Sequence, residues 1–402
     1  MQDIFIARQP IYDSRLEVIG YELLFRASDT YFAEFTSGHE ASARVIVNSF
    51  INIGIERLVG SSLAFINVPE QLVLNDALLP MFHEQTVLEV LEDIPPSPEV
   101  IAGLRRLKSR GFKIALDDFV YRPAYRPFLE LADFVKIDIE NMRPDAIAEQ
   151  LAQLRSYPAM LVAEKVETED MYVLCKAQGF RYFQGYFFCR PRTLTERTLP
   201  PNEAVVLALL QQLNDPALDA SDLEKSLAVD VTLSYKLLRY VNSAAFSLRR
   251  EIESLKDAIV LVGLNTIRNW ATLILLGSIN TGRPRELIKV AMIRARMCEL
   301  LAEKQNPAIK PQMFIVGLLS VLDAIMEIPM ANLLDHLALS APIKFALLQQ
   351  EGEHGALLQQ TILYEQARWE TLLGMGVDRE SVVSAYLEAV RWADSGIDAL
   401  LL

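Results

Sequence analysis

The first half of the chain alternates short apolar runs with longer amphipathic stretches, and this rhythm constrains the fold more than any other feature. Seven runs within residues 1–190 suit strands: VIGYELLF (18–25), LAFINV (63–68), TVLEVL (86–91), FKIALDD (112–118), DFVKIDI (133–139), MLVAEKV (160–166) and YFQGYFF (182–188). Helical patterns lie between them, as at 40–58 and at 97–112, where Ser97 can cap the helix and Gly111 can end it. Repeated strand–helix alternation predicts a mostly parallel sheet, and a TIM-like (β/α)8 barrel is the closest match.

The second half has a different pattern, which is almost wholly helical from residue 203 onward. A polar connector with three prolines, at 190–203, precedes it. We therefore predict an α/β domain at 1–198 and an all-α domain at 199–402. Within the second domain, Ser221 and Glu224 have the spacing of a capping box at the start of a helix.

Composition narrows the class of protein. The chain has 402 residues and a net charge of −13. This charge argues against a non-specific nucleic-acid binder, because such binding depends on Lys and Arg that neutralise phosphates. Three scattered cysteines without a CxxC motif fit a reduced, cytoplasmic setting. The first residues, MQDIFIARQP, show no signal peptide.

The most apolar segment of the second half, residues 258–277, raises the question of a membrane span. Asn265, Arg268 and Asn269 interrupt it. We therefore interpret the segment as a buried pair of helices and expect no membrane partner.

Polar residues occur in the short apolar runs where a buried strand has no need of them. One such residue falls in each run: Glu22, Asn67, Glu89, Asp117, Lys136, Glu164 and Gln184. Each of them alone is typical of a turn, a cap or a rim position. In a barrel, however, the carboxyl ends of the strands converge on one mouth, where residues form a site. Carboxylates with a carboxamide and one lysine suit Mg²⁺ or Mn²⁺, and a phosphate ester is the natural partner of such a site.

Eight short motifs in the first half of the chain resemble those of a known family and occur in the same order. They are RQPIYD (8–13), YELLFR (21–26), FINV (65–68), LEVLED (88–93), LDDF (116–119), VKID (135–138), AEKVET (163–168) and FQGYFFCRP (183–191). Together they resemble EAL domains, which are phosphodiesterases for the bacterial second messenger cyclic di-GMP. The resemblance covers nearly all of residues 1–192.

The resemblance implies roles for individual residues. The implied metal ligands are Glu22, Asn67, Glu89, Asp117, Glu164 and, for a second ion, Asp118. Lys136, Asp117 and Glu164 would be catalytic, with Lys136 beside the attacking water. Gln9, Arg26 and Gln184 would contact the substrate, and Glu92, Glu167 and Asp138 would support the ligands. Two Mg²⁺ or Mn²⁺ ions and cyclic di-GMP are therefore expected in the mouth.

The chain also departs from the family pattern. The loop after the paired aspartates is usually rich in Gly, whereas here it reads DDFVYRPAYRPF, with Val120, Pro123 and Pro127. This stiff loop is expected to weaken the hold on the second metal and the usual dimer. Lys165 stands where the family has Gly, and its amine is expected to compete with a metal for Glu164.

The second half resembles an HDOD domain, a helical relative of the HD phosphohydrolases. Working HD enzymes bind metal through an adjacent His-Asp pair, but none of the four histidines here precedes an Asp, and Asp323 stands without a His. We interpret His336 and His354 as surface or core polar residues. The expected role is interaction with an unidentified protein partner. SAAFSL (243–248) and the helix around Trp270 are either its docking surface or core.

Three functions remain open at this point. The chain could be a phosphodiesterase that cleaves cyclic di-GMP to pGpG, a receptor that binds cyclic di-GMP without cleaving it, or a scaffold that has lost the ligand. The retained ligand set favours the enzyme. The altered loop favours the receptor.

Overall fold

The chain divides into two compact units, Met1–Phe188 and Cys189–Leu402. The structure is a computed structural model, and it describes residues 4–27, 55–75, 84–185, 201–215, 217–228, 231–241, 252, 254–278 and 285–401. The predicted boundary between residues 198 and 199 lies in the segment 186–200, outside the described residues.

Eight strands close a barrel in chain order in the first unit. They are β1 (Ile4–Asp13), β2 (Val18–Ala27), β3 (Leu63–Val68), β4 (Thr86–Val90), β5 (Lys113–Leu116), β6 (Phe134–Asp138), β7 (Met160–Glu164) and β8 (Tyr182–Phe183). Seven of these correspond to the predicted runs, and all pairs from β2 to β8 are parallel. The TIM-like barrel is thus confirmed.

The eighth strand, β1, was missed, and it runs against its neighbours. It pairs antiparallel with both β2 and β8. A short turn joins β1 to β2, and in it the Asp13 carboxylate accepts the backbone N–H groups of Arg15 and Glu17 at 2.7 and 3.0 Å. A connection this short allows only antiparallel pairing.

Short helices connect the strands. Those that the structure describes are α1 (Ile55–Val59), α2 (Glu70–Leu74), α3 (Pro98–Ser109), α4 (Arg126–Leu129), α5 (Pro144–Leu154) and α6 (Glu169–Gln178). As predicted, the Ser97 hydroxyl accepts the backbone N–H of Val100 at 3.2 Å and caps α3. Gly111 follows the end of α3 with a φ of 96°, which is typical of a residue just beyond a helix.

The floor of the barrel is an apolar layer. Ile11, Phe65, Val87, Ala115, Phe134 and Val162 pack together there and are almost fully buried. The rings of Phe65 and Phe134 meet edge to face, with centroids 5.2 Å apart. Because this layer fills the lower half of the barrel, polar side chains are restricted to the other end, at the carboxyl ends of the parallel strands.

The second unit is helical throughout its described residues. Its helices are α7 (Pro201–Leu213), α8 (Ala220–Ala228), α9 (Val231–Val241), α10 (Leu255–Val262), α11 (Leu264–Ser278), α12 (Arg285–Gln305), α13 (Lys310–Leu319), α14 (Leu322–Met326), α15 (Met330–Asp335), α16 (Ala341–Gln349), α17 (Gly352–Glu365), α18 (Trp369–Gly374) and α19 (Arg379–Leu401). The predicted capping box at Ser221 is wrong. Helix α8 begins at Ala220, and the Asp219 carboxylate accepts the backbone N–H of Asp222 at 2.8 Å.

Aromatic rings join three helices of this unit. Trp270 on α11 lies 6.3 Å from Phe314 on α13 and 5.2 Å from Trp392 on α19, between ring centroids. Trp270 is therefore core, while SAAFSL (243–248) lies outside the described residues. The predicted helix pair is confirmed as α10 and α11, but only α11 is largely buried, because Val260 and Leu261 on α10 are exposed. Within the part of the chain that the structure describes, no helix could cross a membrane.

Gly317 on α13 lets that helix approach α12 closely. A Cβ at this position would lie 2.4 Å from the carbonyl oxygen of Arg294, whereas a Cβ on Gly374, in α18, would meet no atom within 4 Å. We expect Gly317→Ala to lower the free energy of unfolding by about 1–3 kcal/mol, because rigid backbone must move apart. Gly374→Ala is the matched control, and it should have no effect or stabilise by up to about 1 kcal/mol. Urea unfolding followed by tryptophan fluorescence measures both, and equal effects would refute this packing.

Candidate active site at the barrel mouth

The polar residues of the mouth follow the floor layer by two positions. Asn67, Glu89, Asp117, Lys136 and Glu164 come two residues after Phe65, Val87, Ala115, Phe134 and Val162. Alternate residues of a strand face the same side, so these side chains also point into the barrel, one layer nearer the mouth. The structure thereby brings together the residues that the sequence picked out one strand at a time.

The centre of the mouth is the ammonium group of Lys136, which is fully buried. It lies 2.6 Å from Glu89 Oε1, 2.8 Å from Asp117 Oδ1, 2.8 Å from Glu164 Oε1 and 3.0 Å from Glu22 Oε2. Four carboxylates from four strands thus share one cation. A lysine is stable at full burial only with such partners, because an isolated charge in an apolar interior is very costly.

Two glutamines hold one of these carboxylates in place. The Gln184 amide donates to Glu22 Oε2 at 2.7 Å and to Gln9 Oε1 at 3.0 Å. Gln9 and Glu22 are direct partners in the β1–β2 pairing. The Asn67 amide approaches the other oxygen of Glu22 at 3.5 Å, the long limit of a hydrogen bond. Gln9 and Gln184 therefore orient Glu22 in this structure, and their predicted contact with substrate stays a prediction.

Three of the four carboxyl groups have a raised pKa. Burial is the largest cause, and it raises the pKa of Glu164 to about 8 and that of Glu89 well above its usual range. The pKa of Asp117 shifts in the same direction, again first through burial. Burial also acts to raise the pKa of Glu22, but Lys136, Gln184 and Asn67 outweigh it and lower that pKa. Three of the four carboxyl groups therefore hold a proton more readily than a carboxyl group in water does, because burial disfavours their charged form.

The donor set fits a hard divalent cation. Both carboxylate oxygens of Glu89 and the amide oxygen of Asn67 are buried and accept no hydrogen bond, although Glu89 Oε1 forms an ion pair with Lys136. Oxygen atoms of this kind are the ligands that Mg²⁺ and Mn²⁺ prefer. Among the described residues no three Asp, Glu, His or Cys side chains are arranged as a metal site as they stand, because the carboxylates are arranged around Lys136 instead.

Asp118 and the loop that follows it form the rim. Asp118 is exposed, with a φ of 43°, while Asp117 points inward to Lys136. The loop is anchored by the backbone N–H of Phe119, which donates to the carbonyl oxygen of Lys136 at 3.0 Å. Its aromatic rings then meet edge to face, Phe119 with Tyr125 and Tyr125 with Phe128. The unusual loop is therefore tied to the strand that carries Lys136.

The remaining predicted site residues lie farther out. Arg26 is in β2, opposite Phe5. Glu92 and Glu167 are exposed, Glu92 in a cleft beside Asp117 and Asp118. Their supporting roles stay predictions. The Asp138 carboxylate accepts the backbone N–H of Glu140 at 2.8 Å and also hydrogen-bonds Lys165.

Lys165 corrects one expectation. Its ion pairs are with Asp138 and Glu140, whereas Glu164 pairs with Lys136. The sequence analysis missed the Lys165–Asp138 pair. The signal for it is the strand register, because Asp138 lies opposite Glu164 in the β6–β7 pairing and so next to residue 165.

The helical unit offers no comparable site in its described part. His336 is exposed, and His354 is a buried polar residue in contact with Gln312, as the sequence predicted. A buried ion pair, between the Arg294 guanidinium and both oxygens of Glu365 at 2.7 and 2.8 Å, lies near the expected His-Asp position. Arg294 also donates to Ser320 at 3.2 Å. These contacts fit a structural role.

Comparisons with known proteins agree with the family predicted for each half of the chain. A family model for the EAL domain matches residues 29–191, and one for the HDOD domain matches residues 199–336. The cyclic di-GMP phosphodiesterase CdgJ of Vibrio cholerae is 35% identical, over 98% of this chain and 93% of its own length. The uncharacterized protein YuxH of Bacillus subtilis is 32% identical, over 98% and 99%.

A solved structure, the PaMucR phosphodiesterase in complex with c-di-GMP, is 20% identical and covers 48% of this chain and 97% of its own, with a TM-score of 0.40. The assignment comes from the two family models and the full-length relatives. The chain therefore belongs to the family of EAL-domain proteins in which an HDOD domain follows the barrel.

Proposed function

We propose that this chain is a metal-dependent phosphodiesterase that cleaves cyclic di-GMP to pGpG. The observation that carries the proposal is the buried Lys136 ammonium inside four carboxylates at the barrel mouth. Full-length similarity to CdgJ, which is named a cyclic di-GMP phosphodiesterase, supplies the substrate.

The reaction adds water across one P–O3′ ester of the ring. The water oxygen bonds to phosphorus, the O3′ oxygen leaves with a proton, and linear pGpG results. In this proposal Glu164 takes the proton of the attacking water. Lys136 places a fixed positive charge where negative charge develops on the phosphoryl oxygens.

The other residues of the mouth hold the metal and the reacting groups. Glu22, Asn67, Glu89, Asp117 and Glu164 would hold one Mg²⁺ or Mn²⁺ ion. The bound metal would activate the water and stabilise the leaving oxygen. Gln9 and Gln184 keep Glu22 oriented by the hydrogen bonds described above. Gln9, Arg26 and Gln184 are the proposed contacts for the dinucleotide.

The helical unit is proposed to relay the state of the barrel to a protein partner. Among the described residues of this unit, the Arg294 guanidinium is paired with Glu365, which fits a structural rather than a catalytic role. A cytoplasmic location fits the substrate, which is a bacterial second messenger.

The activity itself is the first test. The full chain is incubated with cyclic di-GMP and Mn²⁺ or Mg²⁺, and pGpG is followed by chromatography, with binding measured in Ca²⁺ in parallel. We expect turnover, and we expect Asp117→Asn to reduce it at least about 100-fold, because a proposed metal ligand and partner of Lys136 is neutralised. Tight binding without turnover would identify a receptor instead. If the chain shows neither binding nor turnover, only the scaffold hypothesis remains.

A second test isolates the central lysine. Lys136→Met should reduce turnover by about 100- to 1000-fold, because it removes the fixed charge at the phosphoryl group. Lys113→Met is the matched control. Lys113 is the first residue of β5, at the end of the strand away from Asp117 and the mouth, and its ammonium donates to the carbonyl oxygen of Glu84. Equal activities in the two variants would exclude Lys136 from catalysis.

A third test uses pH. A carboxyl group whose pKa is higher in the folded than in the unfolded state stabilises the fold at low pH, and this contribution is lost as pH rises through the folded pKa. For Glu164 the window runs from 4.5 to about 8, and Glu89 and Asp117 shift in the same direction. Calorimetry on the chelator-treated protein should therefore show the melting temperature falling across this window.

Divalent metal should change that profile. Mn²⁺ at the mouth would compensate the carboxylates, so the fall in melting temperature should become smaller when the ion is added. Glu164→Gln should flatten the profile without metal. A profile that is identical with and without Mn²⁺ would contradict a metal site at the mouth.

A further inference from the structure

The barrel mouth contains a second ammonium group surrounded by carboxylates. Lys165 follows the last residue of β7, and its ammonium hydrogen-bonds Asp138 Oδ2 and lies 3.9 Å from Glu140 Oε2. The charge of Asp118 acts on the same ammonium. Whereas Lys136 is fully buried, the side chain of Lys165 is 51% exposed. An inner and an outer lysine thus pair with two different sets of carboxylates, Lys136 with those of Glu22, Glu89, Asp117 and Glu164 and Lys165 with those of Asp138 and Glu140.

The backbone fixes Lys165 in its place. Its φ of 53° lies in the left-handed region, which is costly for a residue with a Cβ. The carbonyl oxygen of Glu164 before it accepts the backbone N–H of Ile139 at 3.3 Å, and the N–H of Val166 after it donates to the carbonyl oxygen of Gln184 at 3.0 Å. A Cβ on Gly185 would lie 2.3 Å from the carbonyl oxygen of Val166, so this segment has little room to move.

The gain in stability from this arrangement is small. An ion pair that is half exposed contributes little, because water and salt screen it. The left-handed backbone costs at least as much. The Lys165–Asp138 ion pair therefore does not raise the stability of the fold appreciably. Because the charge of Asp118 also acts on Lys165, the ion pair instead influences which cations bind at the mouth.

The backbone fixes the orientation of the Asp138 carboxylate toward Lys165. Its Oδ1 accepts the backbone N–H of Glu140 at 2.8 Å, which leaves Oδ2 for Lys165. Asp118, on the loop after β5, is exposed on the same rim. The Lys165 ammonium is bonded to Asp138 and interacts with the charge of Asp118, so it repels any divalent ion that approaches these carboxylates, since like charges in close proximity are unfavourable.

We propose that Lys165 is a built-in cation that takes the position of a second divalent ion beside Asp118 and Asp138. The barrel accordingly holds one divalent ion, among the carboxylates around Lys136, and Lys165 compensates the outer carboxylates. This inference rests on the proposed metal dependence of the same mouth. Loss of the Lys165 charge opens the outer position to a second ion.

The test counts ions rather than turnover. The full-length chain is stripped of metal with a chelator, and Mn²⁺ binding is measured by equilibrium dialysis and calorimetry. Lys165→Gln removes the charge and keeps a side chain on the same backbone, while Lys165→Arg is the matched control that keeps the charge. Lys165→Gly, which also relieves the left-handed backbone, is the third variant. Melting temperatures confirm that each protein is folded.

The wild type and Lys165→Arg should bind one Mn²⁺ per chain, and Lys165→Gln and Lys165→Gly should bind two. Two ions in the wild type, or a single ion in both uncharged variants, would overturn the inference while leaving metal dependence intact. An absence of Mn²⁺ binding in all four proteins would instead overturn the proposed metal dependence itself, and the inference with it.

Discussion

The ion cluster around Lys136 is the interaction on which the rest of the barrel depends. Its ammonium is fully buried, and four carboxylates from β2, β4, β7 and the end of β5 lie within 3.0 Å of it. Removal of Lys136 would leave four carboxyl groups close together in an apolar interior without a cation. The cluster therefore requires all of these strands to keep their register, and it joins the fold to the chemistry.

The apolar floor and the polar mouth are two consequences of one periodicity. Residues at alternate positions of each strand face inward, so an apolar layer at Phe65, Val87 and Val162 is followed by Asn67, Glu89 and Glu164. The floor contributes stability through burial. The mouth concentrates oxygen atoms of carboxyl and carboxamide groups, which are the ligands that a hard divalent cation prefers.

Much of this could be predicted from the sequence. Seven strands and the seven polar residues at the mouth were recognisable, because buried strands have a short apolar signature that a charged residue interrupts visibly. Strand β1 was missed because Arg8, Gln9 and Pro10 break its apolar pattern, and its antiparallel direction depends on the turn at Asp13. The start of α8 was misplaced by two residues, since Asp219 and Ser221 are both good caps and only the structure shows which one accepts the N–H.

Other features could not be derived from the sequence because they depend on neighbours across strands. The partner of Lys165 follows from the β6–β7 register, and the orientation of Glu22 by Gln184 and Gln9 follows from closure of the barrel between β8 and β1. The loop after Asp118 looked like a departure from the family. In the structure its aromatic rings pack against each other and the Phe119 N–H bonds the strand of Lys136, so an unusual sequence still positions the paired aspartates.

The central claim is that the carboxylates at the barrel mouth hold a divalent cation next to Lys136. Anomalous diffraction from crystals of the full chain grown with Mn²⁺ tests this most directly, because it locates the ion without reference to activity. The account predicts a manganese peak within coordinating distance of Asn67 Oδ1 and the Glu89 carboxylate, whose oxygens have no hydrogen bond. Well-ordered crystals with no manganese at the mouth would contradict it.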